Sequence, residues 1–183
     1  MSPVLVDDAN SQPPFSILAL HLLLASAGMW MDDLRRYRAA EVAYGASAHL
    51  AAEHGGAAGE WELSFSEHQI RFHAARSAML DSRPDKAQQH CQEAVRTALI
   101  HGVPFATVAY LTIAWVELVG EAEPNPFCRW LVGELHAVAT RTERVVPELQ
   151  RCFDSVNERT GMSANNVVPP SDAAEWRALI DGL

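Results

Sequence analysis

The chain has 183 residues, an apolar fraction of 49 % and a formal charge of −9. That is enough apolar material for one self-supporting core without disulfides or metals. The acidic balance argues against a nucleic-acid binder, which would carry a basic face. It would suit a basic segment on a protein partner, although solubility alone accounts for it equally well. The charge is unevenly placed: no Lys or Arg precedes Arg35, while Asp7, Asp8, Asp32 and Asp33 do. Cys91, Cys128 and Cys152 form no CxxC pair, and their odd number suits a reducing, cytoplasmic compartment with thiols acting as small hydrophobes. Lys86 is the only lysine, the pattern of a GC-rich, bacterial coding sequence.

Residues 1–14 read as a flexible leader, and Pro13-Pro14 can open a helix. The run from Phe15 to Met31 is strongly apolar, and its Ala25-Ser26-Ala27 resembles a signal-peptidase site. A signal peptide needs a basic segment in front, and this one has Asp7 and Asp8 there. The run is interrupted by His21 and is short for a membrane span, so it reads as a buried core helix over 15–31, with no membrane role. After a turn at Asp32-Asp33, an alanine-rich second helix spans 37–53 and ends at Gly55-Gly56. A glycine loop at 55–59 precedes a third helix over 62–81. Pro84 opens a fourth helix that Gly102 closes, and Pro104 opens a fifth over 105–120. In the fifth, Phe105, Val108, Leu111, Thr112, Trp115 and Leu118-Val119 share one helical face. A sixth helix spans 126–142 and a seventh 147–160. A loop at 161–170 leads to Ser171 or Asp172, either of which can cap a last short helix ending near Ile180. No segment alternates as a strand does, so strands are expected to be rare or absent.

These elements predict an all-α chain of antiparallel hairpins: a leader at 1–14, a helical domain at 15–160, and a loop with a C-terminal capping helix at 161–183. Internal repetition sharpens this. Leu24 to Ser47 orders small, aromatic, small, aromatic and small residues as Gly28, Tyr37, Ala40, Tyr44 and Ser47. A second unit has Ala74-Ala75, Ala87, Cys91 and Ala94. The pattern resembles a tetratricopeptide repeat, in which small residues let two helices approach closely around an aromatic. Leu24 stands where that family usually has a large aromatic, and Pro84 replaces its turn aromatic. Ala40 and Ala87 lie 47 residues apart against the family's regular spacing of about 34, so the resemblance implies a lengthened, divergent array. It further implies a right-handed superhelix of about seven helices plus the cap, with a concave face lined by the helices at 15–31, 62–81 and 105–120.

On that face the exposed candidates for gripping a peptide or helix of another protein are Glu67, Gln69, Arg71, His73 and Arg76, with Trp61 as an anchor beside them. Trp176 is a second candidate anchor, in a tail that could fold back to cap the last hairpin. Eight histidines invite a metal, but there is no HExxH, HxH or CxxC, and His68 and His73 point apart at i, i+5. Glu60 and Glu62 suit a helix start, and the glycine loop lacks the Lys-Ser/Thr of a phosphate loop. The sequence thus points to a non-catalytic adaptor or chaperone with no metal, no cofactor and no catalytic residues. A small-molecule- or metal-sensing domain, and an enzyme with a site assembled across helices, stay open beside it.

Overall fold

A computed structural model describes residues 15–54, 67–120, 122–160 and 172–183. Among the described residues there are eight helices and no strands: α1 Phe15–Asp33, α2 Tyr37–His54, α3 Glu67–Leu80, α4 Pro84–Ile100, α5 Phe105–Val119, α6 Pro126–Arg141, α7 Pro147–Thr160 and α8 Ala173–Asp181. Proline marks the beginnings, standing first in α4, α6 and α7 and immediately before α5. Its fixed φ and missing N–H suit a helix start and nowhere later. The expected 62–66 portion of the third helix, the leader at 1–14 and the glycine loop lie outside the described residues.

Four of the turns close in the same way. A left-handed residue ends the helix: Arg35 (φ 56°), Ser82 (φ 57°), Gly102 (φ 61°) and Glu143 (φ 55°). The N–H of the following residue returns to a carbonyl five residues back, as in Arg36 to Met31 (2.8 Å) and Arg83 to Ala78 (2.9 Å). This closure satisfies carbonyls that the last helical turn leaves without partners. The 47-residue offset that relates Ala40 to Ala87 relates Arg35 to Ser82 as well, so the first two hairpins repeat in backbone as in sequence.

Each helix from α1 to α5 packs on the next in sequence. The simple alternation stops there. Helices α5, α6 and α7 each touch the other two, and α8 returns to lie on α6 and α4. The tail therefore folds back onto α6 and α4, bridging them instead of covering both helices of the last hairpin. Trp176, considered above as an exposed anchor, is instead buried, edge-on to Phe127 at 5.4 Å. Its Nε1 donates to Asp172 Oδ2 at 2.7 Å, and Arg96 lies over the ring at 5.9 Å.

The core divides in two. The larger part runs from α3 to α8 around Trp115, Leu131, Leu135 and Leu149, with Phe127 between Trp115 and Trp130. The face expected for α5 is the face it buries, with Leu118 half-buried at its edge. The smaller part joins α1, α2 and α3, and consists of Ala25, Ala40, Ala48, Ala74, Tyr44 and Ile70. Small side chains let helix axes come close, and Gly28 leaves room for the Tyr44 ring. A Cβ at position 28 would stand 2.7 Å from Cδ1 and Cε1 of the buried Tyr44 ring.

That contact corrects the reading of α1 as a buried core helix, because much of it is exposed. The inward face of α1 is small and polar: His21, Ala25 and Gly28. The His21 ring lies 3.0 Å from both the carbonyl and the hydroxyl of Ser47, and the Ser47 hydroxyl donates to the His21 carbonyl at 3.0 Å. A carbonyl only accepts, so Nδ1 carries the proton. The large side chains are left outside: Leu20 is 47 % exposed, Leu23 66 %, Trp30 75 % and Leu34 61 %.

Gly28→Ala should destabilise the protein by about 1–3 kcal/mol through overpacking against Tyr44. Gly45 sits in α2 with open space at its Cβ position, so Gly45→Ala should stabilise by about 0.5–1 kcal/mol through helix propensity. Urea denaturation of the two variants checks the pair, and a stabilising Gly28→Ala would refute the packing described.

Candidate functional site

Helix α3 carries the residues expected to meet a partner, and its two sides differ. Glu67 is a correction: it is buried, not exposed. Arg71 Nε donates to its Oε1 at 2.7 Å, and the Thr97 hydroxyl of α4 donates to the same oxygen at 3.1 Å. The carboxylate therefore pins α3 to α4 and holds the half-buried Arg71 along its own helix. Gln69 is half-buried, and His73 and Arg76 are exposed at the surface. Trp61 lies outside the described residues.

The His73 ring is braced from below. It stacks on Tyr44 at 5.5 Å between centroids and 23° between planes. Tyr44 is the ring that fills the space over Gly28, so α1, α2 and α3 meet through one aromatic column. Burial, and then the nearby Asp32, push the Tyr44 hydroxyl up to about 12, so it stays neutral. Asp32 also accepts from the Ser77 hydroxyl at 2.8 Å, joining the end of α1 to α3.

A second polar group ties the hairpins together one turn away. Glu41 of α2 accepts from Arg83 and lies 3.0 Å from His90 Nε2, and Arg83 also reaches Asp81 at 2.7 Å. Burial raises the Glu41 carboxyl, but the hydrogen bonds and charges of Arg83 and His90 outweigh it and hold the group below the usual carboxylate value. Its oxygens are occupied and the node is between helices, so it is a strut and not an open acid–base pair.

All three thiols are buried and free. Burial raises each, Cys152 to about 12, so none is a thiolate at neutral pH and none is poised as a nucleophile. Among the described residues no three His, Cys, Asp or Glu side chains come together to hold a metal ion, and no helix is long and apolar enough to cross a membrane. His49 and Glu53 do pair at 3.2 Å, on an exposed face of α2. One open depression of about 410 Å³ lies at the α6–α7 turn. Its His136 stacks on Phe153 at 4.1 Å and meets Gln150 at 2.6 Å, while Arg144 covers Phe105 at 5.2 Å. Its His136, Gln150 and Arg144 are thus engaged with neighbouring side chains.

Sequence reasoning did not find the outward stripe that runs along α1 to Leu34 in the turn after it. Leu20, Leu23, Ala27, Trp30 and Leu34 recur at intervals of three and four, the spacing of a helix–helix seam. That spacing could have signalled it if the inner face were read from the polar His21 with the small Ala25 and Gly28. No protein-family model, no curated protein and no solved structure matches the chain.

Burial of His68, and of the face of the exposed His73 ring that lies on Tyr44, lowers both imidazoles from their ordinary 6.5; His101 adds to this at His68 and Arg76 at His73, while Glu67 and Asp32 oppose it. Unfolding lets both histidines bind protons more readily, so their contribution is present above 6.5 and is lost as pH falls through the folded values. Glu41 acts in the same direction lower down, its contribution being present above 4.5 and lost as pH falls through its depressed value. The melting temperature should drop as pH is lowered from 7 to 5, and the double variant His68→Gln, His73→Gln should flatten that limb. An equally steep limb in the double variant would contradict the assignment.

Proposed function

We propose that the chain is a non-catalytic interaction module, a divergent tetratricopeptide-like stack of hairpins that holds a peptide or helix of another protein along its odd-numbered helices. The observation that supports it most is the outward row of α3. Gln69, His73 and Arg76 follow one another on the solvent side, and the middle ring is stacked on a buried tyrosine that fixes its plane. A side chain held in place before binding loses less entropy on contact, which is how a small polar row achieves useful affinity. The row offers donors, so carbonyls and carboxylates of an extended segment are the chemistry it fits. The repeated turns at Arg35 and Ser82 support the hairpin-repeat part of the reading. The inert thiols and the paired carboxylates of Glu41 and Glu67 support the non-catalytic part.

Selection of random phage-displayed peptides against the protein tests this. Enriched peptides should bind with a dissociation constant of about 1–100 µM, and Arg76→Ala should weaken them about tenfold, some 1.4 kcal/mol, without shifting the melting curve. No enrichment, or peptides that bind Arg76→Ala as well as the parent, would overturn the reading.

A further inference from the structure

We infer that the face of α6 on which α8 lies is a docking site for an amphipathic helix of another protein, and that α8 holds it in cis as a built-in competitor. The surface is formed by α6 and α4 and is separate from the α3 row, so the inference does not rest on the peptide reading.

The seated helix shows what the site takes. Phe127, Trp130, Glu134 and Arg141 follow at intervals of three, four and seven, which puts them on one face of α6. Three of them meet α8 in order along it. Phe127 is edge-on to Trp176 at 5.4 Å, Glu134 accepts from Arg177 at 2.6 Å, and Arg141 donates to Asp181 at 2.9 Å. From α4, Arg96 lies over the Trp176 ring at 5.9 Å. Among the described side chains of α8, Trp176 and Ile180 are the buried ones, four positions apart and so on one side of the helix. The site thus reads an aromatic, a cation one residue on, an aliphatic four on and a carboxylate five on, which is recognition of a helix by a groove.

What holds α8 is of a kind that another helix can replace. Apolar burial is non-directional, so a second aromatic–aliphatic ridge gains the same contact. Among the described residues, the hydrogen bonds from residues 172–183 to the rest of the fold are all exposed: Arg177 to Glu134, Arg141 to Asp181, and Arg144 to the Leu183 carbonyl at 3.4 Å. Exposed pairs contribute little and are screened by salt. The Trp176 indole donates to Asp172 at the start of its own helix, so α8 can leave without breaking a buried hydrogen bond to the fold. It also leaves one bond unmade. Trp130 stands between Phe127 and Glu134 on the docking face, and its buried Nε1 has no acceptor among the described residues. A buried donor without an acceptor is costly, so a helix that brings one to it improves on α8.

The probe is a fluorescein-labelled peptide of residues 172–183, added to the full chain. Trp176→Ala with Ile180→Ala removes the ridge of α8 and vacates the face. This variant should stay helical by circular dichroism and bind the peptide with a dissociation constant of about 1–100 µM. The unsubstituted chain should bind it about tenfold more weakly or worse, because the tethered α8 competes. A second peptide, which keeps only Trp176, Arg177, Ile180 and Asp181 on an alanine–glutamine background, should bind the vacated variant about as well as the first. Equal binding of the first peptide to both proteins, no binding to a vacated variant that is still helical, or failure of the second peptide overturns the proposal. Hydrogen exchange of the unsubstituted chain tests it without any variant. The α8 amides should exchange about a hundredfold faster than those of α6, and faster still as salt rises from about 0.05 to 0.5 M. Equal protection of α8 and α6 overturns the proposal, because α8 would then leave only on global unfolding. Sedimentation of the unsubstituted chain at about 200 µM should give 20.1 kDa. A dimer there that the Trp176→Ala, Ile180→Ala variant loses would assign the face to α8 of a second copy and overturns the proposal too.

Discussion

The Tyr44 ring occupies the space that a side chain at position 28 would need, and most of the N-terminal half depends on that contact. It sets how α1 is turned about its own axis against α2. Once Gly28 faces α2, helical geometry puts Ala25 and His21 on the same side, where Ala40, Ala48 and Ser47 meet them. The His21–Ser47 hydrogen bonds then hold the two helices in register, because a one-turn slip would leave buried polar groups without partners. Tyr44 passes the constraint onward by stacking on His73, and Asp32 reinforces it by bonding to Ser77. The position of α3 thus follows from a glycine on α1.

The same constraint explains why a helix rich in leucine shows leucine to solvent. Apolar burial alone would turn Leu20, Leu23 and Trp30 inward. Close approach of α1 and α2 requires small residues between them, and the large ones are displaced to the outside. The C-terminal half follows the opposite rule. There Trp115, Phe127, Trp130 and Trp176 fill the space between helices, and α8 covers them. One half is latched by hydrogen bonds and small residues and presents surface; the other is packed by aromatics and supports it.

Helix boundaries were legible because proline and glycine punctuate this chain. Pro84, Pro104, Pro126 and Pro147 mark four beginnings, and Gly102 closes α4 through its left-handed φ. The matching turns at Arg35, Ser82 and Glu143 carry no glycine, so nothing in those residues announced the shared closure. The α5 face was legible from its 3.6-residue period, whereas α1 is apolar all round and its period does not tell inside from outside. On α3, helical spacing put His73 and Arg76 outside the core, whereas Gln69 and Arg71 are half-buried. Glu67 defeated it, because its burial depends on Thr97 of another helix, thirty residues away and invisible to local pattern.

The rotation of α1 is the claim on which the rest turns, and thiol labelling measures it directly. Leu23→Cys and Ala25→Cys differ by two positions and lie on opposite sides of the helix, and the native thiols are all buried. In dilute native protein, Cys at 23 should react with a maleimide at the rate of an exposed thiol, and Cys at 25 only on unfolding. Fast labelling at 25 together with protection at 23 would show the leucine face turned inward and would contradict the account.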